Sequence, residues 1–120
     1  MQWCFMQEAD YIRLKHILDA SIEIVTFLEN ITQTEFEEDR KLHLSVVHLL
    51  EIIGEAGNQV SEEIKQQYTT IPWKYILGMR NRLIHGYFDV DLAIVWKTAH
   101  KDIPPLIKKI QDIISSQSTS

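Results

Sequence analysis

A single cysteine, Cys4, is all the thiol chemistry in this 120-residue chain. That excludes an internal disulfide and a zinc site built on paired thiolates, and it fits a reducing compartment. Three prolines and four glycines are too few for the many tight turns of an all-β domain. No apolar run approaches the ~18 residues that a membrane span needs. The first turns of the sequence carry Glu8 and Asp10 and lack a basic leader, so they do not read as a secretory signal. Basic charge is scarce as well. A net charge of −5 excludes a protein that coats nucleic acid without selectivity. The expectation is a cytoplasmic protein with no membrane partner.

What is present is helix-forming material. Hydrophobic residues make up 45% and charged residues 24%, the balance of one ordinary globular domain. Leu, Ile, Glu and Lys dominate, and all of them suit a helix. The charge is unevenly spread. Residues 1–60 hold 11 acids against 4 bases, whereas residues 61–120 hold 6 acids against 8 bases. If nucleic acid binds, the second half should contact it.

Apolar positions recur at helical spacing from Leu14 through Leu28, which predicts a first helix from about Ala9 to Glu29. Thr34 and Glu37 have the spacing of a capping box and predict the start of a second. From Leu44 to Ile53 that second helix is apolar around nearly its whole circumference, more than one small bundle should need. Part of it is therefore expected to face another subunit. It should end near Gly54-Glu55-Ala56-Gly57. A short helix capped by Ser61 follows. Another should start around Pro72 and stop at Gly86. Asp89 or Asp91 should cap the last region, which must bend or break at Pro104-Pro105. The expected fold is an all-α, up-and-down bundle of four to five helices over residues 1–114. Residues 115–120 read as a frayed polar tail.

The chemistry concentrates in Arg80-Asn81-Arg82-Leu83-Ile84-His85-Gly86-Tyr87. Guanidinium groups bind phosphate through two parallel hydrogen bonds, and an imidazole can move protons near neutral pH. Together they could cleave RNA without a metal ion. On a regular helix, however, Arg80 and His85 point ~140° apart at ~100° per residue. Asn81 and Arg82 share a face with His85. The residues alone leave two readings open. One is a phosphate site. The other is a helix end at which basic side chains satisfy the last carbonyls.

R-N-R-L-I-H-G-Y resembles the R-x-x-x-x-H-x-Y motif of HEPN-domain proteins of the HepT-like toxin family. The similarity runs through nearly the whole chain. Ile53-Gly54-Glu55-Ala56, Ile71-Pro72-Trp73 and Gly78-Met79-Arg80-Asn81 resemble further elements of that family, as does the segment from Tyr87 to Trp96. The resemblance implies a HEPN-like helical homodimer, or a higher even-numbered assembly, acting as a metal-independent endoribonuclease. It implies RNA as substrate, no cofactor, and catalytic roles for Arg80 and His85. Asn81 and Arg82 would support them. It also implies a minimal nucleotidyltransferase as antitoxin partner, with Tyr87 as the acceptor of AMP. The alternative is a HEPN adaptor that binds a nucleotide or a partner and has lost catalysis.

Other residues carry weaker expectations. Glu55 is either an interior partner for a motif arginine or part of a helix end. His16, His43, His48 and His100 read as packing or surface groups. Lys97, Lys101, Lys108 and Lys109 read first as a solvated face, with RNA contact as the alternative. The three tryptophans read as core.

Overall fold

The computed structural model describes residues 6–83 and 90–118, with every side chain among them except those of Arg80 and Ser118. Among the described residues every regular element is a helix. Helix α1 runs from Glu8 to Phe27 and buries Leu14, Ile17, Leu18 and Ser21 of the expected stripe; its next turn buries Ile24 and leaves Val25, the expected position, 40% exposed. Beyond it Asn30 turns the chain with φ 61°, a left-handed conformation that Asn tolerates better than most side chains.

That turn delivers Thr32 in extended conformation, and the capping box forms there rather than at Thr34. Thr32 Oγ1 accepts from the Glu35 amide at 3.1 Å, and Glu35 Oε1 accepts from the Thr32 amide at 2.9 Å. Both threonines have an acid three residues on; the backbone turn decides between them. Helix α2, Gln33–Glu38, then breaks at Asp39. Asp39 caps the next helix by accepting from the Leu42 amide at 3.1 Å. The expected second helix is thus two helices.

Helix α3, Arg40–Gln59, is the centre of the molecule and packs against α1 on one side and the motif-bearing elements on another. Val46, Val47, Leu49, Leu50, Ile53 and Ala56 are all buried within the one chain. Of its large apolar side chains, Leu44 stays 50% exposed and Ile52 partly so. The helix does not stop at Gly54 or Gly57. Gly57 serves packing instead: a Cβ there would lie 2.6 Å from Ile76 Cγ2.

The start of α1 meets the end of α3 through a buried carboxylate. Asp10 accepts from the Ser61 amide at 2.8 Å and from the Ser61 hydroxyl at 2.7 Å. The same hydroxyl caps α4, Glu62–Gln67. Trp73 opens α5, Trp73–Leu77, and its indole N–H donates to the Tyr68 carbonyl at 2.9 Å. Gly78 breaks what reads in the sequence as one helix, and α6 covers Met79–Leu83. The expected stop at Gly86 lies outside the described residues.

Helix α7, Leu92–Lys97, is capped by Asp91, which accepts from the Ile94 amide at 3.2 Å; Asp89 lies outside the described residues. The prolines do not break the final region. A π-type turn, Thr98–Asp102, precedes α8, Ile103–Ser118, so that Pro104 and Pro105 fall in the first turn of α8, where missing N–H groups cost little. Ile103, Leu106, Ile110 and Ile113 pack α8 into the core. Residues 115–118 continue the helix instead of fraying. Gln117 Oε1 accepts from the Met6 amide at 3.0 Å, which fixes α8 alongside the start of α1. Joined across the breaks at Asp39, Gly78 and the π turn, the described helices make five runs, in keeping with the expected all-α bundle.

Candidate active site

Helix α6 is anchored by Met79 and Leu83, each 1% exposed. At ~100° per residue the two share its inward face, which leaves Asn81 pointing out. Asn81 is exposed, as that geometry requires. The positions of Arg80 and Arg82 fall on opposite flanks of the buried stripe.

The Arg82 flank is filled. Its guanidinium lies 3.6 Å from the centroid of the Tyr75 ring, and Nη2 donates to the Tyr75 carbonyl at 2.8 Å. Tyr75 in turn donates its hydroxyl to Asp102 in the π turn, with Thr98 Oγ1 3.5 Å away. Burial pushes the Tyr75 phenol above its ordinary pKa, and the hydrogen bond to Asp102 adds to the rise. Arg82 is therefore engaged with Tyr75 within the fold. Tyr75 and Asp102 were not singled out by the sequence. Tyr75 and Arg82 are seven residues apart, about 10 Å along a regular helix, so their contact depends on the break at Gly78 and left no signal in the spacing. Asp102 left none either, because the π turn that aims it is not legible in the pattern.

Arg80 belongs to α6 by its backbone, and nothing is described of its side chain. His85 and Tyr87 lie in residues 84–89, outside the described residues. The two ends of that segment are described and are tied together. The Asp91 amide donates to the Leu83 carbonyl at 3.1 Å. The end of α6 is thus joined directly to the residue that caps α7.

Glu55 sits elsewhere. It is exposed and lines a hollow of about 400 Å³ with Arg13, His16, His48 and Glu51. All the residues lining that hollow come from α1 and α3, so Glu55 is not an interior partner of Arg82. Among the described residues no group of three or more His, Cys, Asp or Glu could hold a metal ion. His16 and His48 are surface groups, His43 packs edge-on against Phe36, and His100 stacks on Trp96 at 3.8 Å. Trp73 is core and Trp96 packs on Phe36, as expected of both; Trp3 lies outside the described residues.

Fold and site together describe an all-α protein whose arginine-rich motif is mounted on a short, well-anchored helix. The chain belongs to the HepT-like ribonuclease family: the family model described as "Ribonuclease HepT-like" matches residues 17–113. It is similar to "Probable ribonuclease HepT" of Thermococcus cleftensis, with 38% identity over 100 residues, 83% of this chain and 91% of the relative. "Putative RNase MJ1216" of Methanocaldococcus jannaschii is 40% identical over 101 residues, 84% of each chain. "Putative RNase TTE0752" of Caldanaerobacter subterraneus is 38% identical over 104 residues, 87% of this chain and 93% of the relative. No solved structure matches the chain. Among the described residues no helix is long and apolar enough to cross a membrane.

Proposed function

We propose that this chain is a metal-independent endoribonuclease that serves as the toxin of a toxin–antitoxin pair. The observation that carries the reading is the family match over residues 17–113, which contains Arg80 on α6 and His85 five residues further along. The chemistry those groups offer is sufficient. The 2′-OH attacks phosphorus as it loses its proton, the bond from phosphorus to the 5′-oxygen breaks, and that oxygen gains a proton. The products are a 2′,3′-cyclic phosphate and a 5′-hydroxyl. Arg80 holds and stabilises the phosphoryl oxygens, and His85 transfers protons. Asn81, exposed on the outer face of α6, would assist at the substrate.

One imidazole cannot easily act as base and acid at opposite ends of an in-line displacement. Two subunits supply two, so the working form is a homodimer with both motifs at one cleft. Control falls to Tyr87. A nucleotidyltransferase partner would transfer AMP from ATP to the phenolic oxygen, releasing pyrophosphate. The new phosphate would then compete with RNA for Arg80.

The test is cleavage of a labelled RNA in EDTA. Wild-type protein should yield 2′,3′-cyclic ends, and a 2′-deoxy substitution at the cut should block it. Arg80→Ala and His85→Ala should each remove activity while far-ultraviolet circular dichroism stays helical. Full activity in either variant sinks the assignment. No cleavage by the wild type, with partner binding intact, favours the adaptor reading. Intact mass after incubation with the partner and ATP reads the modification of Tyr87 separately.

A further inference from the structure

Beside α6 lies a second hollow, of about 270 Å³, that none of the chemistry above uses. Its accessible apolar surface is Pro72, Tyr75 and Pro105, with Met79 and Leu106 buried behind them. Lys101 and Lys109, both exposed, stand at its rim. Asp102 is also part of the lining; its carboxylate accepts from the Tyr75 hydroxyl and leaves the two lysines with a net positive charge of one. Lys108 is drawn into an ion pair with Asp112 at 3.6 Å, whereas Lys101 and Lys109 have no ion pair among the described residues.

An apolar floor with two cations at the edge suits a ligand that is flat and apolar on one part and anionic on another. A nucleotide is such a ligand, and the volume stands close to the lower end, roughly 300 Å³, of small-ligand pockets. Hollow and motif share α6, since Met79, which lines the hollow, immediately precedes Arg80 in the sequence. A chain with net charge −5 cannot attract a polyanion by its overall field, so cations must be gathered where the nucleic-acid backbone runs. We propose that this hollow is an RNA subsite. It receives a nucleotide flanking the scissile phosphate, with the base against Tyr75, Pro72 and Pro105 and a phosphate at Lys101 and Lys109. The inference rests on the ribonuclease reading and adds where the substrate lies.

The experiment measures binding of a fluorescein-labelled, fully 2′-O-methylated oligoribonucleotide by anisotropy across a salt series, alongside cleavage of the unmodified RNA. Lys101→Ala/Lys109→Ala should raise Kd about tenfold at low salt. It should also flatten the slope of log Kd against log salt by about 1.4, since each contact to single-stranded nucleic acid contributes about 0.7. Lys108→Ala should stay near wild type. A 4-thiouridine next to the cut should crosslink to peptides from 72–79 or 101–109. Unchanged Kd and slope in the double variant, while the wild type binds and cleaves RNA, overturns the subsite and leaves the ribonuclease reading standing. A wild type that neither binds nor cleaves RNA overturns both. AMP binding that depends on the two lysines, with RNA binding independent of them, makes the hollow a free-nucleotide site and overturns the proposal.

Discussion

Arg82 caps the ring of Tyr75 at 3.6 Å and also donates to the Tyr75 carbonyl, so one side chain spans the break at Gly78 between α5 and α6. Neither five-residue helix could hold its shape alone; nucleation is too costly for so short a segment. The arginine joins them into one unit. Tyr75 carries the linkage on to Asp102, and through it to the π turn.

Arg82→Ala should therefore act first on stability. The lost stacking and charged hydrogen bond predict a cost of about 1–3 kcal/mol in urea unfolding. Arg82→Lys should recover only part, because an ammonium cannot stack and fork at once. A Tyr75→Leu change should make the Arg82→Ala cost markedly smaller, a coupling that a double-mutant cycle reads directly. If Arg82→Ala keeps wild-type stability and loses RNA binding, the side chain is a substrate contact after all.

The Tyr75 phenol predicts a pH signature. Its pKa in the folded protein is raised, first by burial and then by the bond to Asp102, so the fold favours the protonated form. Its contribution to stability is complete below the unfolded value of about 10 and is lost as pH rises through the higher folded value. Urea midpoints measured from pH 8 upward should show this alkaline loss. Tyr75→Phe should remove that loss, together with an absorbance step above pH 10 in a 295-nm titration. A titration curve unchanged by Tyr75→Phe would refute the placement of the phenol.

Gly57→Ala tests the contact between α3 and α5. Alanine favours a helix by about 1 kcal/mol over glycine, but here its methyl would meet Ile76 Cγ2 at 2.6 Å. Ile76 is fully buried and cannot swing away. Overpacking costs of about 1–3 kcal/mol should outweigh the propensity gain. Destabilisation in the wild-type background that shrinks when Ile76 is also alanine supports the contact. A simple gain in stability rules it out.

Much of this was legible beforehand. The stripe from Leu14 to Ser21 and the cap at Ser61 follow from spacing and residue type alone, and the structure has both; of the two candidates Asp89 and Asp91, it is Asp91 that caps α7. What failed to show were the breaks. Asp39 looks like one more acid in a helix's first turn until it is seen capping α3. Gly54 and Gly57 look like a stop, and periodicity cannot report that a neighbour lies close to Gly57. Pro104 and Pro105 look like a fracture because one residue's worth of slack, taken up as a π turn, leaves no trace in the hydrophobic pattern. For the candidate site, the motif's Arg80 and the exposed Asn81 both fall on α6. Glu55, left open in the sequence between an interior partner and a helix end, is exposed on α3 beside α1.

The bond from the Asp91 amide to the Leu83 carbonyl has a consequence for how this chain can vary. It joins the last residue of α6 to the residue that caps α7 by a backbone contact that uses no side chain. Side-chain changes at either position therefore leave the groups that make this link in place. Asp91→Pro is the exception, because proline has no N–H to donate, and it should part α6 from α7.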